Sequence, residues 1–174
     1  MSDDPNEIAA IAERVERGDD PYEVPGELLV EPEEGKPVNK SLYGQILTMK
    51  VGERIKLALR GNRDARMILI RDSNRLIQRF VLLNPRITDD EVIMVARNRN
   101  VDADLLRIIG DHKAWPKNYQ VRLGLVSNPK TPIAIALHFV SSLGERDLRS
   151  LAKSKNVSSA VVSSARRLLL QRGK

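Results

Sequence analysis

The sequence predicts an all-α protein, a stack of short helices behind an acidic, largely extended N-terminal tail, and three observations carry that prediction. Asn128-Pro129-Lys130-Thr131-Pro132 closes one apolar run and opens the next, and Asn84-Pro85-Arg86-Ile87-Thr88 does the same upstream. The apolar runs are short, and their spacing fits helices with no need for strands. Charge divides by position: residues 1–40 hold 12 acidic and 4 basic side chains, net −8, whereas 41–174 hold 11 acidic and 25 basic, net +14. Such asymmetry marks a tail outside the fold, or a basic body with an anionic partner.

Taken in order, Ile8, Ile11, Ala12 and Val15 recur at helical spacing and predict a short amphipathic helix over 7–17, ended by Gly18. From Asp19 to Lys40, Pro21, Pro25, Pro32 and Pro37 stand among glutamates, a composition that favours solvated, extended backbone and reads as a linker. One apolar patch inside it, Leu28-Leu29-Val30, can dock onto the body or onto a partner. The body, 41–174, opens with a helix carrying Leu42, Tyr43, Ile46 and Leu47, then one over 51–60 stopped at Gly61-Asn62.

Beyond that point the chain repeats. A single ungapped shift that lays Ala58 on Ala114 also lays Asn62 on Asn118, Arg66 on Arg122, Leu69 on Leu125, Ala96 on Ala152 and Asn100 on Asn156. Apolar positions coincide too, Val92 with Leu148, Val95 with Leu151, Leu105 with Val161 and Leu106 with Val162, which predicts one core used twice. The copies are 58–113 and 114–169. Each is expected to hold four helices, at about 63–72, 75–83, 88–98 and 101–113, and at about 119–127, 132–142, 145–154 and 157–171. Thr88-Asp89-Asp90-Glu91 reads as a capping box, and Thr131-Pro132 as a cap residue before proline at the first helical position.

Val121-Arg122-Leu123-Gly124-Leu125-Val126-Ser127-Asn128-Pro129-Lys130-Thr131-Pro132 resembles the leucine-rich repeat variant, a HEAT-like helical repeat with a Val-Arg pair in one helix and Asn-Pro-x-Thr-Pro at the turn. The first copy departs from it, with Ala65-Arg66 and Ile87-Thr88 in place of Val-Arg and Thr-Pro. The resemblance spans about Asn62 to Leu170 and implies a right-handed α-solenoid of short helices with a binding role. Some relatives carry an N-terminal iron-sulfur module, which a chain without cysteine cannot hold.

No catalytic or cofactor motif emerges, and the expectation is a non-enzymatic protein without cofactor. His112 and His138 lie far apart along the chain with no spaced carboxylate, and His138, between Leu137 and Phe139, reads as a core or edge histidine. Neither a dinucleotide-binding nor a P-loop glycine motif is present. Asp89-Asp90-Glu91 and Asp102-x-Asp104 fall where first helical turns are expected and favour the dipole. Asp111, Trp115 and Tyr119 are similar to the aspartate and aromatics of HEAT-like DNA glycosylases, but the tryptophan stands at the junction of the copies and reads as a packing anchor. The N-terminus lacks the regions of a signal peptide and no apolar run approaches a membrane span, so no membrane partner and a cytoplasmic location are expected.

Cations are the signal that exceeds structural need. Arg97 matches Lys153, Arg99 matches Lys155 and Arg66 matches Arg122, so on a regular stack they would form rows. Helix-terminal cations are ordinary, and Arg66 and Arg122 can equally be buried and paired with acids. Two ligands fit the rows: the acidic segment of a protein partner, the leading expectation, or a nucleic-acid backbone, for which the chain offers only six aromatics as stacking platforms. The charge split further suggests an acidic tail that folds back on the body and competes with an anionic partner, or one that only solubilises.

Overall fold

Residues 4–33, 35 and 41–173 are described by a computed structural model, and their regular structure is entirely helical, with no strand among the described residues. Eleven α-helices are present among them: α1 (Pro5–Arg17), α2 (Ser41–Thr48), α3 (Val51–Arg60), α4 (Arg63–Leu69), α5 (Arg75–Leu83), α6 (Asp89–Arg97), α7 (Ala103–Asp111), α8 (Tyr119–Ser127), α9 (Ile133–Val140), α10 (Glu145–Ala152) and α11 (Ser159–Arg172). Single 3-10 turns lie at Gly26–Leu28 and Trp115–Lys117. The chain divides into two compact units, Met1–Ile87 and Thr88–Lys174, a boundary that falls inside the first sequence copy.

In the first unit, α1 begins at Asp4, whose carboxylate accepts from the Asn6 N–H, and ends at Gly18, left-handed at φ 79°. It buries Ile8, Ala12 and Val15 against α3. Helix α3 has α4 and α5 as its other neighbours, which is why Ile55, Leu57, Ala58 and Leu59 are all buried and no single apolar stripe suffices.

The N-terminal segment departs from the sequence expectation. Residues 19–33 hold no regular structure apart from one 3-10 turn, yet they are not a solvated linker: Leu28 is fully buried, and Gly52 on α3 leaves room for the Tyr22 ring, which a Cβ there would overlap. Composition misled because each acid that packs has a basic partner from the body, so the segment's charge does not keep it in water. Glu34, Pro37 and Lys40 of the expected linker lie outside the described residues.

In the second unit, α6 packs on α8, α8 on α9, and α11 on both α9 and α10. Val126, Ala136, Val140, Leu143, Leu148, Leu151, Val161 and Ala165 form the core of its C-terminal part. Gly124 brings α8 close to α6: a Cβ there would lie 3.1 Å from that of Ala96. Thr88 and Glu91 form the expected capping box. Thr131 is different: α9 starts one residue later than expected, at Ile133, the extended Pro132 occupies the cap position, and the Thr131 hydroxyl is buried rather than capping.

One interval along the chain separates the starts of α4 and α8, of α6 and α10, and of α7 and α11. Asn100 and Asn156 are both exposed, and each donates its N–H to the side chain two residues back, that of Asn98 or Ser154.

The two Asn-Pro turns do more than end helices. Asn84 is buried and donates from Nδ2 to the carbonyls of Ala58 (3.0 Å) and Gly61 (3.1 Å), while its Oδ1 accepts from the Arg86 N–H. Asn128 does the same for Ala96 (2.8 Å) and Asn98 (3.0 Å), with Lys130 as donor to Oδ1. Each side chain satisfies carbonyls that the end of α3 or α6 leaves without an intrahelical partner.

Candidate functional site

The six cations matched across the copies have different fates. Arg66 is buried, 2% exposed, and donates to Glu31 Oε1 (2.6 Å) and to the Gly61 carbonyl (3.1 Å). Arg122 is half-buried over the Tyr119 ring and donates from Nη1 to the carbonyls of Pro116 (2.7 Å) and Lys117 (2.9 Å). These two hold local structure and are not rows of free charge, because both guanidinium groups turn back toward the start of their own helix.

Arg97, Arg99, Lys153 and Lys155 are exposed. Arg97 ends α6 and reaches Gln120 Oε1; Lys153 caps α10, and Arg99 and Lys155 follow just beyond the two helices. Helix C-termini favour cations there. Among the described residues none of these four is paired with an acid. Five acids in the same unit are committed elsewhere: Glu91 caps α6, Asp102 caps α7, Asp89 accepts from Asn118, Asp147 accepts from Tyr119 and Glu145 pairs with Arg149. Residues 88–174 hold 15 basic and 8 acidic side chains, net +7, against net −1 for residues 1–87.

Tyr119 completes a cap that the backbone of α10 lacks. Gly144 stands at the cap position without a side chain, and the Tyr119 hydroxyl accepts its N–H (3.0 Å) while donating to Asp147 in the first turn. The hydrogen bond to Asp147 and burial raise the Tyr119 pKa above the usual phenol value.

A second charged constellation lies where the sequence allows Leu28-Leu29-Val30 to dock onto the body and Arg66 to be buried beside an acid, but its particular pairings were missed by sequence reasoning. Residues 19–33 lie across α3, α4 and the turn after α5 as a strap. Asn62, 3% exposed, donates its backbone N–H to the Leu28 carbonyl (2.7 Å) and its Nδ2 to the carbonyls of Glu27 and Val30 (2.9 Å each). Arg86 donates to the Leu29 carbonyl (2.9 Å), and Lys56 to the Tyr22 carbonyl (2.6 Å) and Asp20 (3.0 Å). Glu31 takes Arg66, the Arg63 N–H (2.9 Å) and, at 3.7 Å, Arg86. Burial works to raise the Asp20 and Glu31 carboxyls, but these hydrogen bonds and charges outweigh it and hold both below the ordinary range. The signal available in sequence was the opposite charge of the two segments, which gives no pairing.

The remaining candidates resolve as follows. His138 is exposed, a correction: with Ala136 and Val140 facing the core of α9, position 138 falls on the other side. Trp115 is buried and stacked on His112, ring centroids 3.7 Å apart, and Asp111 is exposed at the end of α7. No cluster of three or more metal-ligating side chains, and no helix long and apolar enough to cross a membrane, occurs among the described residues.

Fold and surface together define an all-helical protein with a basic C-terminal unit. Set against known proteins, the chain matches no family model, no curated protein and no solved structure.

Proposed function

We propose that the protein is a non-enzymatic adaptor, built on a right-handed, HEAT-like helical repeat, that binds an acidic segment of another protein through Arg97, Arg99, Lys153 and Lys155. The single observation that carries this reading is the exposure of four helix-end cations, none paired with an acid among the described residues, in a unit of net charge +7. The common interval between the starts of α4 and α8, of α6 and α10, and of α7 and α11 supports the repeat, from which the start of α9 departs by two residues.

A phosphate backbone would suit the same cations. Two observations favour protein. Met94 is exposed three residues before Arg97, on the same face of α6, and supplies an apolar contact beside the charge. Trp115 is buried and Tyr119 lies half-buried under Arg122, which removes two platforms for base stacking.

The test is competition on the full chain at one ionic strength between a labelled glutamate-rich peptide, duplex DNA and RNA. Binding of the peptide that resists both nucleic acids, and that Arg97→Glu with Lys153→Glu abolishes at unchanged melting temperature, supports the adaptor. Displacement of the peptide by either nucleic acid moves the assignment to the nucleic-acid reading. Loss of the fold in the double variant makes the cations structural.

A further inference from the structure

The strap is bound as a peptide ligand is bound. Its contacts fall on main-chain carbonyls at Tyr22, Glu27, Leu28, Leu29 and Val30, supplemented by one buried leucine, Leu28, and one clasped carboxylate, Glu31. Backbone carbonyls carry no sequence information, so what the groove reads is a single 3-10 turn of main chain with a leucine and, three residues after it, a glutamate. Its own side is prepared for this task. Asn62 is buried and directs its hydrogen bonds at the carbonyls of Glu27, Leu28 and Val30, while Arg86 is exposed and meets both the Leu29 carbonyl and the Glu31 carboxylate.

We infer that this groove, formed by Asn62, Arg63, Arg66 and Arg86, is a docking site for an acidic Leu-x-x-Glu segment of a partner protein that adopts the same single turn, a site that residues 19–33 occupy in cis until that segment displaces them. Charge complementarity selects the partner: the groove presents arginines, and the chain's own occupant is acidic. Tethering gives the strap a high local concentration, roughly millimolar for a short flexible connection, so a free segment competes only weakly with the intact chain. The site does not use Arg97, Arg99, Lys153 or Lys155, so its failure would leave the proposed function standing.

The probe is a fluorescein-labelled peptide with the sequence of residues 20–33, titrated against full-length protein. Wild type is expected to bind it weakly. A full chain weakened in the strap by Leu28→Ala and Glu31→Gln should bind it at least about tenfold more tightly, through relief of the tethered competitor. Adding Arg86→Ala to that chain should reverse the gain, and a peptide with both recognition residues changed to alanine should not bind. Equal affinity of the folded strap variant and wild type would overturn the proposal, as would failure of the strap variant to fold, which would make the segment part of the core. Amide exchange on the wild-type chain gives an independent reading: Leu28 and Leu29 should exchange at least about tenfold faster than the core amides of α3, by local opening. Matching protection of strap and α3 would exclude displacement. A wild-type dimer that grows with concentration and disappears on Arg86→Ala would overturn the foreign partner in favour of strap exchange between copies.

Discussion

Arg66 and Arg122, which occupy the same place in the two sequence copies, each donate from Nη1 to the carbonyl oxygen five residues earlier, that of Gly61 at 3.1 Å and of Lys117 at 2.9 Å. In both cases that carbonyl immediately precedes the asparagine that caps the helix, Asn62 for α4 and Asn118 for α8. The arginine therefore clips the incoming chain to the helix it enters, which gives a structural reason for the match of these two cations.

Removing the clip should affect the two units unequally. Arg66→Ala also takes away the partner of Glu31 and opens a buried volume, and is expected to cost about 2–4 kcal/mol in urea unfolding. Arg122→Ala leaves only backbone carbonyls that water can reach, and about 1 kcal/mol is expected. Equal, small effects would remove the distinction drawn between a buried and a half-buried clip.

The buried asparagines are a second pair. Asn84→Ala or Asn128→Ala leaves two carbonyls and one N–H without their partner, and each is expected to cost about 2–3 kcal/mol. Replacement by aspartate should be no better, because the Nδ2 donors are what the helix ends require. Denaturant midpoints of the four variants test this directly.

Core truncation gives the reference scale. Leu69 and Leu125 are fully buried, and Val95 and Leu151 nearly so. Leucine to alanine at 69, 125 or 151 should cost about 2–5 kcal/mol, and Val95→Ala less. A truncation without effect would show that the position is not packed in the core.

Acid should loosen the strap. Asp20 and Glu31 have folded pKa values below the ordinary ones, so their contribution is present above about pH 4 and is lost as pH falls through the lowered values. Leu28 amide exchange, corrected for intrinsic rate, is expected to accelerate in that range; Lys56→Gln should remove most of the Asp20 part of the pH dependence, whereas Arg86→Ala should leave most of the Glu31 part, which Arg66 and the Arg63 N–H sustain. Tyr119 works in the other direction: its raised pKa means that its contribution is complete below about pH 10 and lost as pH rises through the folded value. Tyr119→Phe should abolish that alkaline step and cost about 1–2 kcal/mol at neutral pH.

Much of the helical order could be read from residue spacing and punctuation. Gly18, Thr88 and the Asn-Pro pairs marked helix ends because left-handed backbone, cap hydroxyls and proline act within a few residues of themselves. Surface cations were less legible, since an arginine at helical spacing looks the same whether it faces water or a carbonyl. Arg66 and Arg97 differ in that respect only once folded.

The helical class, most of the caps and the apolar positions that became the core follow from amino-acid order alone, because all are consequences of interactions between residues close along the chain. The fate of charge was decided only in the tertiary structure. Whether Glu31 meets Arg66, and whether Asn62 takes the carbonyls of Glu27 and Val30, depends on contacts between segments distant in sequence. Composition records the opposite charges of the two segments but not their pairing, because burial of an ion is tolerable only where a partner already stands.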